Sequence, residues 1–222
     1  VDLPLPTDAV DDFEPIADDD GFKITGQDTV YMTFDRDTLR YRFSYSATDT
    51  AVYLPSVAPN GLIFVKNSIL RMKGIVKGQY TIGCSSTGGS GAGTIYLDDD
   101  IVFDKDPRIY PNSSDLLGIC AENSVLITDN GPNHSDINIH GSVYCEKGGF
   151  GAENYKYRPV SGNINLLGGI IQNTRKAVGT FSKGSINHGF AKRYLYDQRL
   201  LVASPPFFPG TGGFEIVSWL EL

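Results

Sequence analysis

Positive charge is missing from the start of this chain. Residues 1–21, VDLPLPTDAVDDFEPIADDDG, hold seven Asp, one Glu and three Pro but no Lys, Arg or His. Over all 222 residues the formal charge is −7. That balance argues against nucleic acid as the main partner, because phosphate binding needs a basic face. It argues equally against an anionic membrane surface. Methionine (2) and tryptophan (1) are scarce. The three cysteines, Cys84, Cys120 and Cys145, show no CxxC and no Cys/His spacing. An odd count fits three buried thiols, with one disulfide and a free thiol as the other arrangement. No apolar run reaches the roughly 18 residues that cross a bilayer, and no signal peptide is visible. Val1 is not an initiator methionine, which leaves room for a removed leader.

Turn formers and strand formers fill the space. There are 25 Gly, 12 Pro, 12 Tyr and 12 Phe, with hydrophobic residues at 41%. Such a composition favours short strands joined by many turns. The acidic start, without hydrophobic continuity, reads as an extended arm. Residues 22–58 contain the alternating runs DTVYMTF and LRYRFSY around the polar turn DRDT, the pattern of two antiparallel strands.

From residue 60 a second pattern begins. Five windows align on their first isoleucine: IFVKNSILR (63–71), IYLDDDIVF (95–103), ICAENSVLI (119–127), INIHGSVYC (137–145) and INLLGGIIQ (164–172). Positions one and three are apolar in all five, as one face of a strand requires, and position seven is Ile or Val. Position five is Asn67, Asp99, Asn123, Gly141 or Gly168. These are the residue types that tolerate a left-handed backbone, so each window reads as strand, corner, strand. A unit that cannot bury its apolar face alone buries it by stacking.

The fold expected is therefore all-β, a parallel β-solenoid (right-handed β-helix) of about five coils. It would carry an extended arm at 1–21, a strand pair at 22–58 that caps or packs on it, the solenoid over 59–181, and a cap over 182–222. An antiparallel β-sandwich is the alternative. Position eight holds Leu70, Val102, Leu126, Tyr144 and Ile171. Stacked at about 4.8 Å, these would form an outward apolar stripe roughly 20 Å long, which a partner or another part of the chain must cover. The region 182–222 closes on PPFFPGTGG and a last strand-like run at 214–220.

The stretches GGIIQNTRKAVGTF (168–181), GFAKRYLYDQRLL (189–201) and PPFFPGTGGFEIVSW (205–219) resemble the C-terminal part of bacterial envelope proteins of the PilX pilus-assembly type. The resemblance spans residues 60–222 and is strongest after 160. It implies an extracellular or cell-surface location and a structural or adhesive role, and it carries over no catalytic residue.

The run Asp98–Asp99–Asp100 invites a metal or an acid–base pair. Asp98 and Asp100 are the weak Ca²⁺ candidates, although the glycine turn and distal Glu of a calcium loop are missing. A glycoside-cleaving enzyme on a β-helix scaffold would pair Asp98 or Asp100 with Glu122 on the next coil. His134, His140 and His188 lack neighbours at ligand spacing, and His140 at its corner reads as solvent-facing. SSTGGSGAG (85–93) lacks the Lys-Ser/Thr of a phosphate loop and reads as a flexible excursion. GGFGAENYKYRP (148–159) reads as a packed excursion, with contact to a partner or a surface glycan through Tyr155 and Tyr157 as the other reading.

No cofactor is called for beyond that structural Ca²⁺. The reading is a structural subunit of an extracellular bacterial filament or pilus-like assembly, acting by contacts and not by catalysis. The contacts would be self-association through 1–21, the stripe and 214–220. A non-polymerising, carbohydrate-binding adhesin is the alternative, and a polysaccharide lyase or hydrolase the second.

Overall fold

The computed structural model describes residues 8–210; the run 214–220 and the first seven residues lie outside it. The acidic start is not an extended arm throughout. Val10, Phe13 and Ala17 fall on one face of a helical turn pattern, and residues Phe13–Asp20 form helix α1. That face is buried against Leu62, Phe64, Cys120 and Tyr144, while Asp11, Asp12 and Asp18–Asp20 stay in water. Two polar anchors hold it. Val10 N–H donates to Glu146 Oε2 at 3.1 Å, and Glu14 meets Lys23 at 2.8 Å and Lys66 at 2.6 Å. Phe13 sits edge-on to Phe64, with ring centres 6.5 Å apart, over Gly83, where a Cβ would lie 2.4 Å from its ring. The three apolar residues override an otherwise solvated composition, because burying one large side chain contributes about 1.5–3 kcal/mol.

Strands take 48% of the described residues and helix 9%. The strands are β1 (Phe22–Ile24), β2 (Thr29–Arg36), β3 (Thr38–Arg42), β4 (Thr50–Tyr53), β5 (Leu62–Val65), β6 (Ile69–Val76), β7 (Gln79–Cys84) and β8 (Thr94–Phe103). They continue as β9 (Leu116–Ala121), β10 (Val125–Ile127), β11 (Ile137–Cys145), β12 (Phe150–Ala152), β13 (Val160–Gln172), β14 (Gly179–Ser182) and β15 (Ser185–Leu195). A short helix, α2 (Leu54–Val57), buries Leu54 near the start of the sheet. All fifteen strands join one mixed sheet, of which ten run in the order β1-β5-β7-β9-β11-β8-β6-β2-β3-β4 and curl into a half-barrel. The pairs β2–β3, β3–β4 and β14–β15 are antiparallel, and the other pairings are parallel. Two antiparallel sheets face to face are not what these pairings make.

Three rows of inward side chains build the core. The first runs Phe22–Ile63–Ile82–Ile119–Val143–Ile170. A second runs Val30–Leu70–Ile95–Val125–Phe150. The third includes Ile101, Ile139 and Leu166. The chain thus passes through the first row six times.

These rows correct the alignment of the five windows. Ile63 and Ile119 start on the first row, Ile95 on the second, and Ile137 and Ile164 on the strand stretches that carry the third. Each pass has more than one corner, and every strand–corner–strand junction is spelled alike, so windows one or two corners out of step still matched. The position-eight stripe dissolves for the same reason. Leu70 points inward and is fully buried in the second row. Val102 pairs with Ile75, and Leu126 with Tyr96. Of the five, Tyr144 and Ile171 are adjacent, on the outer row Phe64–Gly83–Cys120–Tyr144–Ile171. Helix α1 and Phe208 cover that row from within the same chain, Phe208 lying edge-on to Tyr144 with ring centres at 6.4 Å.

Candidate functional site

The aspartate run lies at an irregularity in β8. Met72 pairs with Leu97 and Gly74 with Ile101, so the single residue Lys73 faces Asp98, Asp99 and Asp100. Two extra residues make the strand bulge and re-aim its side chains. Asp98 takes a bidentate pair from Arg71, with Nη2 at 2.6 Å and Nε at 3.0 Å, and accepts from Thr128 Oγ1 at 2.6 Å. Asp99 Oδ1 accepts its neighbour's N–H, that of Asp100, at 2.9 Å. Asp100 accepts from Asn138 N at 2.7 Å and from Asn138 Nδ2 at 2.9 Å.

Each carboxylate therefore has its own protein donors. Among the described residues no group of three or more His, Cys, Asp and Glu side chains is placed to hold a metal ion. Glu122, the imagined catalytic partner, is buried and spent on Lys147 Nζ at 2.7 Å and on Ser86 N–H.

The corner residues divide. Asn67 (φ 51°), Gly141 and Gly168 (both φ 153°) take positive φ; Asp99 and Asn123 do not. Asn123 works through hydrogen bonds, its side-chain amide donating to Ala92 O and its N–H to Gly93 O. Asp99 caps the adjacent backbone N–H, that of Asp100, with its own carboxylate. A Cβ on Gly168 would lie 2.0 Å from Gly141 O, so there the small residue is obligatory.

Beside the bulge is a groove of about 460 Å³, lined by residues that include Tyr31, Thr33, Arg42, Tyr45, Arg71, Lys73, Asp98 and Asn130. Strands β2, β3 and β6 position its floor. Arg42 and Arg71 stack on Tyr31 at 5.1 and 6.0 Å from the ring centre, and Arg71 also lies 5.0 Å from that of Tyr96. Burial works to lower the Arg71 pKa, and the hydrogen bond and charge of Asp98 outweigh it and raise it. Sequence reasoning missed this groove because its residues come from separate strands. The missed signal was Arg42 on β3 with Arg71 and Lys73 on β6, flanking Tyr31 on β2 and Tyr45 in the turn after β3.

His140 is buried and not solvent-facing. Phe103 N–H donates to its Nδ1 at 3.1 Å, and the Arg108 guanidinium lies 3.2 Å from Nε2. Burial pushes its pKa below the usual imidazole value, with Arg108 acting in the same direction against Asp106, Asp100 and Asp197. His134 pairs with Asp129 at 2.9 Å, and His188 Nδ1 lies 3.0 Å from Arg158 O. Cys84, Cys120 and Cys145 are free, buried thiols; burial pushes Cys84 and Cys145 up to about 12. Tyr157 is exposed, but Tyr155 packs against the core, so the two do not make one platform. The neighbouring Arg158, unremarked in the sequence, is fully buried in the fold.

The first and last strands differ in charge. Residues 18–53, which carry β1–β4, hold seven acidic and four basic side chains; residues 170–195, which carry the end of β13 and β14–β15, hold five basic and no acidic ones. A second cavity, of about 480 Å³, opens at these last strands, with Phe150, Leu166 and Ile170 in its lining beside Arg175, Lys176 and Lys192.

Fold and surfaces together define an all-β protein built on one curled, mixed sheet. No family model, no curated protein and no solved structure matches the chain.

Proposed function

We propose that the curled sheet is a right-handed parallel β-solenoid and that the chain is a structural subunit of an extracellular or cell-surface bacterial assembly, stacking end to end without catalysis. One observation carries the reading. In the row Phe22–Ile63–Ile82–Ile119–Val143–Ile170 the four middle side chains have 0% exposure, while Phe22 and Ile170 at the ends are half-buried. The row ends at Phe22, on which the Tyr41 ring of β3 packs with ring centres 5.5 Å apart, and at Ile170. Among the described strand pairings, β1 bonds β5 alone, and the Gly169–Gln172 stretch of β13 bonds β11 alone. Open parallel edges of this kind are templates for strand addition from another copy. A head-to-tail contact that does not close makes a filament.

Charge supports the same pairing, because the acidic first strands of one copy meet the basic last strands of the next. Handedness follows from the near-universal right-handed sense of parallel crossovers. The likeness of residues 160–222 to PilX-type envelope proteins agrees with the location. The segment 8–21 is seated on its own chain, which moves the proposed contacts from the arm to the two ends.

Negative-stain microscopy of the purified protein tests the reading. Unbranched polymers that shorten at high salt, and that disappear for Ile170→Asp, are expected. Monomers at every concentration and salt would refute it.

A further inference from the structure

The groove at Tyr31 and Arg42 is unexplained by end-to-end stacking, since it lies on the flank of the sheet. We infer that it is a binding site for a carboxylated sugar chain, a uronate-containing oligosaccharide. Its volume, about 460 Å³, falls within the roughly 300–1,000 Å³ of small-ligand clefts.

Its chemistry is the reverse of the surrounding surface. In a chain of charge −7, the lining has three cations, Arg42, Arg71 and Lys73, against the carboxylate of Asp98. Asp98 is already consumed by Arg71 and Thr128. Arg42 Nη1 binds Asp49 at 2.8 Å, but its Nε is buried with no hydrogen-bond partner. Lys73 is half-buried, and no ion pair or hydrogen bond engages its ammonium among the described residues, although three aspartates face it in the ladder. Arg42 is matched by Asp49 and Arg71 by Asp98, so the ammonium of Lys73 is the cation of the groove without an ion pair among the described residues.

The second half of the site is flat. Tyr45 is 82% exposed. It is not loose, because Tyr31 meets it edge-on at 6.3 Å and the Arg42 guanidinium lies 6.0 Å from its ring centre. An exposed aromatic face braced from behind is a platform for the apolar face of a sugar ring. Lys73 then meets the carboxylate and Tyr45 the ring, with Thr33 and Asn130 as polar lining for hydroxyl groups. One leftover charge beside one flat ring suits a uronate better than a polyphosphate, whose binding needs a run of cations.

Isothermal titration of the full chain with a glucuronate-containing tetrasaccharide, and with its carboxyl-reduced counterpart, decides the matter. The acidic sugar should bind about tenfold more tightly than the neutral one and weaken as salt rises. Lys73→Met should remove that preference, and Tyr45→Ala should weaken binding of both sugars about fivefold; both positions lie at the surface, and a thermal melt checks that each variant folds. Absence of binding by the acidic sugar would overturn the assignment. So would unchanged binding by both variants. Equal displacement by a polyglutamate peptide, with Tyr45→Ala silent, would reduce the site to one for anions in general and overturn the sugar.

Discussion

Arg158 is the residue whose removal tests the packing most severely. Its side chain has 0% exposure. The guanidinium donates to the carbonyls of Asn133 (2.6 Å), Thr128 (3.3 Å), Ile127 (3.4 Å) and Glu153 (3.4 Å), and to Ser161 Oγ (3.3 Å). It also lies 4.5 Å from the ring centre of Phe190. Among the described residues no carboxylate is closer than Asp129, at 4.0 Å, so the charge is balanced mainly by carbonyl dipoles, and burial lowers its pKa.

Arg158→Met keeps the volume but removes every donor. Ile127 O and Thr128 O retain other donors, Glu153 N–H and Asn133 Nδ2. The carbonyls of Asn133 and Glu153 lose theirs. Two orphaned acceptors at about 1–3 kcal/mol each, less the relief of no longer burying a charge, come to a loss of about 2–3 kcal/mol. Arg158→Ala adds a cavity and should reach about 3–5 kcal/mol. For a chain of this size a loss of 1 kcal/mol lowers Tm by about 2–4 °C. Urea titration followed by circular dichroism measures both variants. A Met variant within about 0.5 kcal/mol of the parent would refute the claim that carbonyl satisfaction, and not bulk, is what Arg158 supplies.

Gly168→Ala should cost at least about 2 kcal/mol, because its new Cβ meets Gly141 O in a left-handed backbone; an unchanged urea midpoint would contradict that geometry. His140 makes stability pH-dependent. Its folded pKa is depressed, so the unfolded chain binds the proton first, and stability present above about pH 6.5 falls as pH is lowered through the folded value. Glu146, whose burial raises its pKa, slopes the opposite way. The readout is therefore the difference in Tm between the parent and His140→Gln, which should shrink as pH drops below about 6.5; a pH-independent difference would count against it. The thiols of Cys84, Cys120 and Cys145 should react with a disulfide reagent only after denaturant is added, since each is buried and held protonated. Fast labelling of the native protein would show that the interior opens.

The strand character of residues 60–172 was legible because period-2 alternation and Asn, Asp or Gly corners survive in any window. The order of those windows was not. Ile95 and Ile63 look equivalent in the sequence but stand on different rows, since a corner has the same spelling wherever in the pass it falls. Helix α1 was illegible for the opposite reason: three spaced apolar residues among acidic ones signal little until Phe64, Cys120 and Tyr144 are assembled beneath them. The groove was hidden because Tyr31, Arg42 and Arg71 meet only through β2–β3 and β2–β6 pairing.

By itself the sequence determined an all-β chain with inward Ile, Val and Leu, buried cysteines and small residues at Gly141 and Gly168, because these follow from local alternation and backbone sterics. Tertiary structure alone decided what the three aspartates do. Asp98 is a counter-ion to Arg71, Asp99 a cap and Asp100 a clamp on Asn138, because register placed three residues opposite one and turned each carboxylate toward a different donor.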